Sequence, residues 1–249
     1  MRNHKYHYVN PPAMIKAVLF DLDGTLLPLD QEKFVRRYVP MLTAKMEPYG
    51  LEPKKLGETL WGSVFLAAKN DGSRTNEDLI WEYFADVFGK DVVKLKPLFE
   101  EFYATKFDEA KDIAGFQPLA SEIVSWLKGK GIKVILATNP IFPKVATDLR
   151  IQWAGLDPKD FDDCTVYETS RYAKPNPEYY AELLRIHGLS ADECVMIGND
   201  VNEDILPTSK LGIRNYLVTD CLINRDNRDI SGIPHGTFAD MVGFLKALF

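Results

Sequence analysis

The segment Ile15 to Leu26, IKAVLFDLDGTL, constrains the fold more than any other stretch of the chain. Ala17 to Phe20 is an apolar run too short for a buried helix, so it reads as a strand covered on both faces, as in parallel sheets. Asp21 then stands at the strand's C-terminal edge, where open α/β sheets bind ligands. If the backbone stays extended, Asp23 shares a face with Asp21, because strand side chains alternate with period two. Gly24 permits a tight reversal, and Thr25 can satisfy loop amides through its hydroxyl. The same residues also suit an ordinary turn, so the rest of the chain has to decide between chemistry and geometry.

From about Leu29 to Asp112 there is almost no strand character. Apolar residues recur at helical spacing, for example Phe34, Tyr38, Met41 and Leu42, with breaks at Pro48 to Pro53, Asn70 to Asn76 and Gly89 to Asp91. This predicts about four helices, with Pro40 kinking or dividing the first. From Phe116 the pattern alternates. Helices are expected at Pro118 to Lys130, Pro143 to Trp153, Pro177 to His187, Ile205 to Leu211 and Phe238 to Leu248. Strands are expected at Lys133 to Ala137, Thr165 to Tyr167, Cys194 to Ile197 and Arg214 to Val218, with loop after Asp200. Alternation at this pitch implies a doubly wound parallel sheet of the Rossmann-like α/β class.

A chain of 249 residues with a formal charge of -6 and a pI near 5.3 argues against nucleic acid as a partner, which would call for a basic surface. No apolar stretch reaches the roughly twenty residues of a membrane-spanning helix, and the polar start lacks a signal core. A cytoplasmic protein is expected, monomer or homodimer, with residues 1–13 a flexible leader. His4 and His7 lie in that leader. Cys164, Cys194 and Cys221 read as small buried side chains.

Three predicted strands end in polar residues: Asp21 and Asp23; Thr138 and Asn139; Gly198, Asn199 and Asp200. Parallel strands share one polarity, so all three sets converge on one edge, joined by Lys174 ahead of Pro175. Carboxylates at this density need a cation, and hard oxygen donors favour Mg²⁺. A site with Mg²⁺, lysine and threonine suits a phosphoryl group.

DLDGT, the ATN at Ala137 to Asn139, Lys174 and GNDVNED at Gly198 to Asp204 resemble the four ordered motifs of the haloacid dehalogenase superfamily. The resemblance implies a Rossmann-like core, residues 14–28 and 113–249, carrying an α-helical cap, residues 29–112. It implies that Asp21 is the nucleophile and that Asp23 is the acid and base. Asp21, the main-chain carbonyl of Asp23, and Asp200 would hold Mg²⁺. Thr138, Asn139 and Lys174 would bind phosphate, with Asn199 in support and either Asp204 or Glu203 orienting the metal site. Such a protein would be a Mg²⁺-dependent phosphomonoester hydrolase of a small phosphorylated metabolite; the alternatives are a phosphosugar mutase or an idle interaction module. Substrate choice would fall to the cap, with Lys33, Arg36, Arg37, Trp61, Lys69 and Arg74 as candidates.

Overall fold

The structure, a computed structural model, describes residues 14–249, so the leader with His4 and His7 lies outside the described residues. Six strands form one sheet: β1 (Ala17–Phe20), β2 (Lys133–Leu136), β3 (Asp163–Cys164), β4 (Cys194–Gly198), β5 (Arg214–Val218) and β6 (His235–Gly236). All neighbours pair parallel in the order β3-β2-β1-β4-β5-β6. Strand order reverses between β1 and β4, the switch point where such sheets open a crevice.

Period-two alternation divides the core. Val18, Phe20, Val134, Leu136, Val195 and Ile197 pack with α5 (Pro118–Gly129), α6 (Lys144–Trp153) and α9 (Phe238–Lys246). Ala17, Leu19, Ile135, Cys194 and Met196 pack on the other face with Tyr179, Tyr180 and Leu183 of α7 (Pro177–His187).

Between β1 and α5 run α1 (Gln31–Met46), α2 (Pro53–Ala68), α3 (Asn76–Phe88) and α4 (Lys96–Ala104). Their starts are built as the sequence suggests: Asp30 accepts from Lys33 N at 3.0 Å, and Thr75 from Asp78 N at 3.1 Å. Helix α1 is not divided, with Pro40 inside its length. Among the described residues no helix is long and apolar enough to cross a membrane.

Three expectations need correction. The third strand is Asp163–Cys164, not Thr165 to Tyr167, because Val166 and Tyr167 leave the sheet. Tyr167 N bonds Phe142 O at 3.1 Å and the Tyr167 carbonyl accepts from Glu77 N at 2.9 Å. The two-residue edge strand β6 is too short to leave a periodic signal. Residues Val201–Ile205 form a π-helical turn leading into α8 (Leu206–Leu211), where loop was expected. Pro207 has no N–H to offer the Glu203 carbonyl, and the Tyr180 hydroxyl donates to that carbonyl instead, at 2.9 Å.

Candidate active site

The β1–β4 pairing extends past the strand, with Asp21 N donating to Ile197 O at 2.9 Å. The backbone then turns at once: the Leu22 carbonyl accepts from Thr25 N at 3.1 Å and from Leu27 N at 2.9 Å. The two carboxylates are near enough to feel each other's charge but have different partners. Gly24 has φ of +91°, and a Cβ there would sit 2.2 Å from the Asn199 amide nitrogen, so only glycine lets Asn199 close over the turn. Thr25 does not serve loop amides. Its hydroxyl donates to Asn199 Oδ1 at 3.1 Å and lies 3.5 Å from Asp21 Oδ2.

Lys174, 2% exposed, bridges two acids through Nζ: Asp21 Oδ1 at 2.7 Å and Asp204 Oδ1 at 2.6 Å. Asp204 Oδ2 accepts from the amides of Asn199 and Asp200, each at 3.0 Å, which ties the end of β4 to the lysine. A Cβ on Gly198 would lie 2.2 Å from that oxygen. Of Glu203 and Asp204, it is Asp204 that meets Lys174. Glu203 accepts from Asn139 Nδ2 at 3.3 Å. Burial works against the Lys174 charge, but Asp204 and Asp21 outweigh it and hold the ammonium well above its usual range. Burial pushes the Asp21 carboxyl well up, opposed by Lys174. It raises Asp200 and lifts Glu203 to about 7.

Asp23 turns to α6, where its Oδ2 pairs with Arg150. Arg150 is 1% exposed; Nε donates to Ala146 O at 3.3 Å, and the guanidinium lies 4.3 Å from the centre of the Phe142 ring. Burial raises the Asp23 carboxyl, with Arg150 opposing, and Asp23 Oδ1 is buried without a hydrogen-bond partner. Asp200 Oδ1 accepts from Asn202 N and Glu203 N, while Oδ2 accepts from Arg225 at 2.8 Å. Arg225 also reaches Gln31 Oε1 at 3.2 Å, linking the site to the first residue of α1.

At the end of β2, Ala137 N bonds Phe20 O at 2.7 Å, keeping Thr138 next to Asp21. The Thr138 carbonyl accepts from Thr165 and Tyr179 hydroxyls at 2.6 and 3.0 Å, and Asn139 Oδ1 is buried and unpartnered. The sequence-expected residues therefore assemble around the switch point.

Arg150, Arg225 and Tyr180 were not anticipated. Arg150 carried one weak signal, a charge among the apolar positions of α6. Arg225 lies in a polar loop and carried none.

Five carboxylates (Asp21, Asp23, Asp200, Glu203, Asp204) here face three cations (Lys174, Arg150, Arg225), a surplus that one divalent cation would balance. Among the described residues no three His, Cys, Asp or Glu side chains form a ready-made metal cluster. The donors that fit Mg²⁺ are two hard carboxylates, Asp21 and Asp200, on adjacent strand ends, with oxygens of Asp23 beside them.

The cap candidates fare differently. Lys33, Arg36, Arg37 and Arg74 pair with Asp30, Glu32, Asp112 and Glu82, and Trp61 is 53% exposed. None of the six lines the cavity between the helices and the loops that follow β2 and β3, whose wall is half aromatic.

A family model described as haloacid dehalogenase-like hydrolase matches residues 15–212. The chain is 28% identical over 244 residues to a glyceraldehyde 3-phosphate phosphatase of Methanothermobacter thermautotrophicus, covering 94% of this chain and 100% of that one. A HAD phosphatase from Thermococcus onnurineus has the same fold, with TM-score 0.57, 22% identity, and coverage of 93% of this chain and 98% of that one. An L-2-haloacid dehalogenase from Xanthobacter autotrophicus aligns with TM-score 0.56 at 15% identity, over 95% of this chain and 100% of that one.

Proposed function

The chain belongs to the haloacid dehalogenase-like hydrolases, and from that premise we propose a Mg²⁺-dependent phosphatase that hydrolyses a small phosphomonoester through Asp21. The observation carrying this reading is the Lys174 bridge between Asp21 and Asp204 at the β1–β4 switch point. A buried carboxylate resists ionisation, and Lys174 is the neighbour that favours the charged, nucleophilic form of Asp21.

An Asp21 oxygen forms a bond to phosphorus as the bond to the leaving oxygen breaks. Asp23, whose carboxyl burial keeps more readily protonated, gives its proton to that oxygen. Asp23 then takes a proton from water, the water oxygen bonds to phosphorus, and the Asp21–phosphorus bond breaks to release phosphate. Thr138, Asn139 and Lys174 offer donors to the phosphoryl oxygens, and Asn199 and Asp204 hold the loops in place. Asp21, Asp200 and the main-chain carbonyl of Asp23 would hold Mg²⁺, which supplies charge neutralisation to the phosphoryl group when bound.

Residues 29–112 act as a cap that excludes water from a core formed by 14–28 and 113–249. The reading is a cytoplasmic enzyme acting on a small phosphorylated metabolite, and the full-length relative named a glyceraldehyde 3-phosphate phosphatase supports the substrate class. It is tested with p-nitrophenyl phosphate. Hydrolysis should stop with EDTA, return with Mg²⁺, and fall at least about 10³-fold in Asp21→Asn, since a covalent nucleophile is removed. Full activity in that variant would overturn it.

A further inference from the structure

The cavity between the helical segment and the loops that follow β2 and β3 is walled by Tyr38, Phe84, Phe99, Tyr103, Phe142 and Tyr167, with smaller apolar residues between them. Among its lining residues there is no Lys or Arg. The only ionisable carboxylate there is Glu100, which is exposed. The polar groups it offers are Ser63, the tyrosine hydroxyls and Trp81. Trp81 Nε1 is buried and among the described residues makes no well-formed hydrogen bond, with the Tyr167 hydroxyl beside it.

The cavity is linked to the site through Arg150: Phe142, part of its wall, lies 4.3 Å from the Arg150 guanidinium, which pairs with Asp23. Arg150 is the nearby cation, but its charge is committed to Asp23 and its face to the ring of Phe142. An anionic group entering here would find no partner, and Glu77, Glu168 and Glu100 all add negative potential around Tyr167. The volume, about 60 Å³, is well below the roughly 150 Å³ of a cavity that takes up benzene, so it suits only a few heavy atoms.

We propose that the alcohol portion of the substrate is small and uncharged, lying on Tyr38, Phe99, Tyr103 and Phe142 with a hydrogen-bond acceptor at Trp81 Nε1. This rests on the phosphatase reading above. It favours the phosphate ester of a short neutral alcohol or hydroxy-carbonyl compound over phosphorylated acids and bisphosphates.

The test compares n-propyl phosphate with 3-phosphooxypropanoate, which differ at the chain end by a carboxylate, and adds glyceraldehyde 3-phosphate as a neutral ester with an acceptor. The expected kcat/KM for propyl phosphate exceeds that for the carboxylate ester by about tenfold or more, because the charge is desolvated without a partner. Val64→Lys, at a half-buried wall position, should bring that ratio toward one. Trp81→Phe should raise KM for glyceraldehyde 3-phosphate about three- to tenfold more than for propyl phosphate, as loss of one hydrogen bond implies. Thermal melts establish that both variants are folded.

Equal or faster hydrolysis of the carboxylate ester, or an unchanged ratio in folded Val64→Lys, overturns the proposal while the phosphatase reading stands. A Trp81→Phe effect of equal size on both neutral esters overturns the acceptor contact. No phosphate release from any ester, including p-nitrophenyl phosphate, removes the phosphatase reading and this proposal with it.

Discussion

The strand ends and the helical cavity lie side by side yet are built from opposite materials. At the strand ends the charges are held by other charges and by backbone donors: Lys174 by two acids, Asp204 by Lys174 and two amides, Asp23 by Arg150 and Asp200 by Arg225. In the cavity wall there is almost no charge, and the rings touch one another instead, Tyr38 against Phe142 at 5.6 Å and Trp81 against Phe99 at 5.3 Å. Fixed charges suit a reaction whose phosphoryl group is always the same. A wall of rings can only select by size and polarity. Mutations should therefore act on turnover in the first region and on substrate preference in the second.

Lys174→Met should give the largest separation. Turnover of p-nitrophenyl phosphate falls about 10²- to 10³-fold, and stability drops by about 3–5 kcal/mol because two acids lose their buried partner. Asp21 would then titrate still higher in the folded state than unfolded, so the folded form binds more protons and the loss deepens as pH rises; urea unfolding across pH checks this. A cavity substitution with an equally large effect on turnover would break the division.

Arg150→Met sharpens it, because Arg150 touches both regions. Arg150 holds the Asp23 carboxyl down against burial, so its loss raises that group further. An acid that must start protonated then works to higher pH, and the alkaline limb of the kcat/KM profile should move up, with kcat lower by about tenfold. An unmoved limb would separate Arg150 from the chemistry.

Phe99→Leu, which trims the wall without adding polarity, should alter KM about two- to fivefold and leave kcat nearly unchanged. The smallest effect concerns stability alone. Burial lifts Glu203 to about 7, above its ordinary value of 4.5, so the folded state keeps a proton that the unfolded chain releases. Its contribution is most favourable below about pH 4.5 and is lost as pH rises through about 7, and Glu203→Gln should flatten that slope in denaturant midpoints measured without divalent metal.

The same contrast explains what could be read in advance. The strand-end chemistry was legible because short motifs at the ends of apolar runs fall on one sheet edge by strand polarity alone. Asp21, Lys174 and Asp200 needed no tertiary detail to be placed there. Their partners were not legible, since Arg150 and Arg225 reach the site through folding of distant segments. The turn at Leu22 is set by hydrogen bonds that no periodicity records. In the helical segment, Tyr38 and Phe99 sit at positions typical of a bundle core, and only their three-dimensional arrangement separates a cavity wall from a filled interior. The charges that sequence favoured as substrate contacts, Arg36 and Arg74 among them, are satisfied at the surface by Glu32 and Glu82.

The central claim is that Asp21 carries the phosphoryl group. Quenching the Mg²⁺-loaded enzyme during turnover and reducing with borohydride converts an aspartyl-phosphate to homoserine, which mass spectrometry locates by peptide. The account predicts conversion at position 21 that requires substrate and is absent from Asp21→Asn. Conversion at another carboxylate, or steady phosphate release with position 21 never modified, would contradict it.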